Sequence, residues 1–153
     1  MTENEKNLAF MFDEAMKLRD AGDLVAARRL LTQVLKQTNP DDKVLVAHAH
    51  IQLGQFAKAL GEHDQREPHF CAAVGALPKS EVASFGLFLA LFHLGRLTEA
   101  FREMARLVRI RYSDLYDEML VDPKYGAEFT GEIHELILEA RRLLAARRSR
   151  QPS

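Results

Sequence analysis

The sequence predicts an all-α fold built from helical hairpins, and three observations carry that prediction. The first is Phe85 to Met104, FGLFLALFHLGRLTEAFREM, which is an apolar run, a glycine and then an amphipathic run. In the pattern Gly95, Leu97, Ala100 the glycine makes a tight turn, the leucine seals it and the alanine lets two helices approach closely. The second is recurrence. Gly22, Gly61 and Gly95 each lie between two segments of helical periodicity, 39 and then 34 residues apart. The third is that no run reads as a strand bounded by turn residues.

The elements follow in order. Asn7 to Ala21 carries Leu8, Met11, Phe12, Ala15, Met16 and Leu18 on one helical face, and Gly22-Asp23 ends it. Leu24 to Leu35 returns with Leu24, Ala27, Leu30, Leu31, Val34 and Leu35 inward. Asn39-Pro40 stops it, and Asp41 or Asp42 can cap the next helix. The third helix spans about 43–60. Gly54 within it costs roughly 1 kcal/mol against alanine, which points to a close helix crossing. The fourth helix starts late, because Pro68 is tolerated only in a first turn. Asp64 and Glu67 have the spacing of a capping box before it. Glu81 to Leu94 is apolar nearly all round, so it is buried on several sides. Thr98 to Ile110 buries Ala100, Phe101, Met104, Leu107 and Val108 and exposes Arg102, Glu103, Arg106 and Arg109. Ser113 to Val121 forms a short helix and Tyr125-Gly126 a turn. Ala127 to about Arg148 forms a long final helix, acidic at its start and basic at its end, as the helix dipole favours. Residues 151–153 form a disordered tail.

Length and composition fit one soluble domain. The chain has 153 residues, 47% hydrophobic and 28% charged, and a formal net charge of -1, so overall charge gives no case for nucleic acid. Cys71 is the only cysteine, which precludes an internal disulfide and suits a reducing compartment. The N-terminus is acidic and polar, and the longest apolar stretch, Val82 to Leu94, is too short to span a bilayer. A cytoplasmic location is expected.

A helix-turn-helix period near 34 residues resembles the tetratricopeptide-repeat family, over roughly Leu8 to Tyr112. The local matches are Leu53-Gly54, then Phe70, Ala73 and Pro78, then Gly95 to Ala100. The departures are Glu14-Ala15 and Leu87-Phe88 at Leu-Gly positions, and Arg66 where a small alanine belongs, which implies a remodelled second turn. The resemblance implies an α-α superhelix of three hairpins, at about 7–38, 43–77 and 81–111, with a short helix and a long capping helix over about 113–148. It implies a small bacterial protein whose concave groove binds a peptide or protein. Phe12, Met16, Arg19, His48, Ile51, Gln55, Lys58, Phe85, Leu89 and Phe92 project to that side. Alternatively Phe85, Leu89 and Phe92 are core, covered by the final helix as a solenoid cap, or an interface between two copies.

Recognisable catalytic chemistry is missing from the sequence: it has no phosphate loop, nucleophile elbow or dinucleotide fingerprint. His134-Glu135 opens a zinc-protease pattern that fails at Leu138. His63, His69 and Cys71 are near in sequence and offer three metal ligands, but they straddle a helix start; His48 and His50 point to different faces. No enzyme activity, metal or cofactor is expected. Two charge features remain. Asp114, Asp117, Glu118, Asp122, Glu128, Glu132, Glu135 and Glu139 face only Lys124 within their segment, and can form an acidic surface beside Tyr116 and Tyr125. Such a surface suits a basic protein partner. Arg141 to Arg150 contains five arginines, either a dipole-matched helix end or a contact for nucleic acid. The expected role is non-enzymatic protein binding, as an adaptor or as an immunity protein that neutralises a toxin domain. Monomer and homodimer both remain open.

Overall fold

A computed structural model describes residues 1–151. All of its regular elements are helical: α1 (Glu3–Asp20), α2 (Leu24–Gln37), α3 (Lys43–Ala59), a 3-10 turn (His63–Gln65), α4 (Arg66–Ala76), α5 (Glu81–His93), α6 (Leu97–Ile110), α7 (Asp114–Leu120), α8 (Lys124–Ala127) and α9 (Gly131–Arg148). No helix among the described residues is long and apolar enough to cross a membrane. The chain forms two compact units, residues 1–77 and those from Pro78 on.

The three turn glycines fold alike. Gly22, Gly61 and Gly95 have φ of 87°, 75° and 78°, a region costly for any residue with a Cβ. Each donates its N–H back to the residue three before it, and the next residue donates to the one five before: Asp23 to Leu18, Glu62 to Ala57, Arg96 to Leu91. This is the Schellman closure, which satisfies the carbonyls a helix end leaves open. The same closure makes three hairpins: α1–α2, α3–α4 and α5–α6. The second turn differs as Arg66 foretells. Helices α2 and α6 start two residues after their glycine, whereas α4 starts five after, behind the 3-10 turn.

In the first unit Ala15, Ala27, Leu31, Leu53 and Phe56 form the core, with Phe12, Met16, Leu18, Leu24, Leu30 and Leu35 packed against it. Gly54 meets the ring of Phe70 so closely that a Cβ there would lie 2.6 Å from it. The close crossing is therefore between the two helices of one hairpin. Arg66 is buried where the other hairpins have Ala27 and Ala100; burial lowers its guanidinium pKa.

In the second unit an aromatic cluster joins the aliphatic packing. Phe88 meets Phe101 and Tyr116 edge-on at 5.2 and 5.6 Å between centroids, and Phe101 meets Phe129 at 5.1 Å. The Tyr116 hydroxyl lies 3.0 Å from Ser84 Oγ, so both buried hydroxyls are satisfied; burial pushes the phenol's pKa far up.

Several expectations are corrected. Helix α1 begins four residues earlier than its apolar pattern, because Thr2 and Glu5 form a capping box. The box expected at Asp64 and Glu67 does not form; Asp64 lies inside the 3-10 turn and Gln65 is the cap position, without a side-chain bond. Tyr125-Gly126 is part of the short helix α8. The last helix starts at Gly131, not Ala127, because Thr130 is extended and Gly131 has φ 63°. Phe129 thus lies before that helix. Of the tail, Gln151 is a bend, and residues 152–153 lie outside the described residues.

Candidate functional site

In the first unit α1 and the start of α3 leave a cleft of about 490 Å³. Its wall is Leu8, Ala9 and Phe12 from α1, and Val44, Leu45 and His48 from α3, with Met1 at one end. The helical period sets this: Leu8 and Phe12 are four apart on one face, and so are Val44 and His48. Three carboxylates line it, Glu5, Asp13 and Asp42, with no lysine or arginine. Asp42 also accepts from the Leu45 N–H as the α3 cap, and Glu5 belongs to the α1 capping box. Val44 is half exposed.

The ten expected groove residues divide. Phe12 and His48 line this cleft. Met16 is packed against the core and Ile51 is buried. Arg19 donates to Gln52 Oε1 at 3.1 Å, tying α1 to α3, and Gln55 and Lys58 are exposed. Phe85, Leu89 and Phe92 are half-buried. Phe85 packs edge-on against Tyr116 of α7 at 5.2 Å, and Phe92 packs against Phe88 and Phe101. The long final helix α9 packs chiefly along α6.

Four of the eight carboxylates expected on the acidic surface are paired within the second unit. Arg102 donates both nitrogens to Glu132 at 2.7 and 2.9 Å, and Arg109 both to Glu139 at 2.8 Å. A step of seven residues on both helices in the same order makes α6 and α9 parallel. Asp117 receives two bonds from Arg148 and one from the Tyr112 hydroxyl, and Asp122 pairs with Lys124. These arginine bonds hold the Asp117, Glu132 and Glu139 carboxyls below their usual range. Asp114, Glu118, Glu128 and Glu135 remain outside any ion pair among the described residues. Tyr116 is fully buried and no part of a surface; Tyr125 is half-buried, stacked on Phe129. Three of the five arginines of the basic run are also occupied, Arg148 by Asp117 as above. Arg141 donates to the Leu120 and Asp122 carbonyls and Arg147 to the Arg109 carbonyl, so both close the ends of neighbouring helices.

The residues His63, His69 and Cys71 do not assemble. No group of three histidine, cysteine or carboxylate side chains with metal-binding placement exists among the described residues, and Cys71 is exposed. Instead His69 of α4 meets His50 of α3, with Nδ1 to Nδ1 at 3.1 Å. Desolvation lowers both pKa values, and the charge of His69 lowers that of His50 further. The separation of His48 from His50 holds: one is exposed at the cleft, the other half-buried in the hairpin. Sequence inspection missed the pair because its members lie 19 residues apart. Only the α3–α4 register brings them together.

The chain matches no protein-family model and no curated protein.

Proposed function

We propose that the protein is a non-enzymatic binding module, built on tetratricopeptide-like hairpins, that holds a segment of a partner protein in the α1–α3 cleft. The cleft carries this reading. It is apolar at its base, open to solvent, and lined by carboxylates without a balancing lysine or arginine. An apolar side chain flanked by lysine or arginine fits it, by burial of the first and attraction of the second. The recurrent glycine closures support the repeat reading, since the same turn serves each hairpin. The occupied carboxylates of α7 and α9 leave the acidic surface with less to offer a basic partner.

The test is selection of peptides on the purified protein from a random library, followed by fluorescence-polarisation titration. Micromolar binders with an apolar anchor and basic flanks are expected. Val44→Glu and Asp13→Lys should each weaken them about tenfold, near 1.4 kcal/mol. Changing Glu118, Glu128 and Glu135 to lysine should leave binding intact. The reverse pattern moves the site to the α7–α9 surface, and a library that yields no binder removes the reading.

A further inference from the structure

We propose that His50 and His69 form a two-imidazole site for a late first-row divalent metal ion, with copper(II) held most tightly and zinc(II) more weakly. The carrying observation is geometric. The two Nδ1 atoms face each other at 3.1 Å, with ring centroids 5.4 Å apart and planes tilted by 38°. With metal–nitrogen bonds of about 2.0–2.1 Å, two imidazoles stand about 2.9 Å apart at a square-planar corner and about 3.3 Å apart in a tetrahedron. The observed spacing lies between the two, but the rings meet head-on as in a hydrogen bond, so each must turn by roughly 35–45° to bring both lone pairs onto one ion.

The protonation state also suits a ligand pair. Burial favours the neutral imidazole at both positions. In the neutral pair one Nδ1 carries the shared hydrogen. Moving that ring to its Nε2–H tautomer frees the second lone pair, with no net release of a proton.

Access comes from either side. His50 lines one cleft of the first unit, and His69 lines another together with Glu62 and Asp64. Those carboxylates favour a cation near His69, although Glu62 also pairs with Arg28 at 2.5 Å. No third side chain joins the two histidines in a ligand group among the described residues. Water fills the remaining positions, so the ion exchanges readily and binding is of micromolar strength. An ion bound there would also clip α3 to α4.

The experiment uses the full-length protein without a histidine tag. Copper(II) and zinc(II) chlorides are titrated by calorimetry near neutral pH, and the copper form is read by electron paramagnetic resonance. One ion per chain, copper tighter than zinc, and hyperfine coupling to two imidazole nitrogens are expected. His50→Gln and His69→Gln should each weaken copper about tenfold or more, while His48→Gln and Cys71→Ser leave it unchanged. Circular dichroism checks that the variants keep their helices. If they do not, the wild-type resonance decides alone. Absence of saturable binding, coupling to fewer than two imidazoles, or unchanged affinity in a folded His50 or His69 variant overturns the proposal.

Discussion

Two helical glycines in the first unit have opposite surroundings and should respond oppositely to one added methyl. Gly54 lies under Phe70, which is itself buried, and a Cβ would sit 2.6 to 2.9 Å from three ring atoms. Alanine gains roughly 1 kcal/mol of helix propensity there. A buried ring must shift to admit it, and overpacking of that kind costs about 1–3 kcal/mol. Gly54→Ala should therefore lower stability by about 1 kcal/mol net. Gly75 of α4 has nothing within 4 Å of its Cβ position, so Gly75→Ala should raise stability by up to about 1 kcal/mol. Urea midpoints at unchanged slope read both effects. Equal shifts of the same sign would show that Phe70 does not control the Gly54 site. The propensity argument at Gly54 was legible in the sequence, but the identity of its neighbour was not, because sequence spacing does not say which ring crosses a glycine.

At the scale of elements, what was legible depended on whether a local signal fixes the backbone. Gly22, Gly61 and Gly95 fix hairpin turns by their positive φ, and the three turns fall where the periodicity breaks. Thr2 with Glu5, and Gly131 after Thr130, are equally local signals, but no apolar pattern drew attention to them. The partners of Arg102 and Arg109 were not legible, because each lies 30 residues away on a helix whose direction depends on α7 and α8. These pairs are exposed and screened by solvent, so they orient the two helices more than they stabilise them. Asp117 is better shielded, with its side chain 14% accessible, and it joins α7 to the end of α9 through Arg148. The Arg148 hydrogen bond is the main cause of its lowered pKa, with the Tyr112 hydroxyl adding to it. The sign follows from that direction. Stability from the ionised carboxylate is complete above the unfolded aspartate value of about 3.9, and is lost as pH falls through the lower folded value. Asp117→Asn should cost about 1 kcal/mol at neutral pH. The gap between variant and wild type should close below about pH 4, as thermal unfolding across a pH series would show. A gap that persists in acid would assign the loss to packing instead.

At the scale of the molecule, the placement of sites in two units yields the last prediction. The chain is nearly neutral, with 21 lysines and arginines against 22 aspartates and glutamates. Much of the charge in the second unit is spent on holding α6, α7 and α9 together. That unit has its own core in Phe88, Phe101, Met104, Tyr116, Ile137 and Leu144, all fully buried. The first unit has a core around Leu31 and Phe56, and it contains both the cleft and the histidine pair. The chain at Leu77 is outside helical conformation, and Pro78 follows it, which suits a boundary. A fragment of residues 1–77 should therefore fold alone. A domain of that size buries little more than about 60% of its unfolded surface, so its stability should be modest. Amide resonances of the fragment should overlay those of the same residues in the whole chain. Peptides selected on the whole chain should bind the fragment with affinity within about threefold of the parent, under 1 kcal/mol. A fragment with collapsed amide dispersion would mean that the first core needs the rest of the chain. A folded fragment that has lost the peptides would place their contacts beyond Leu77, and α1 and α3 would then be scaffold for a site that the cleft does not contain.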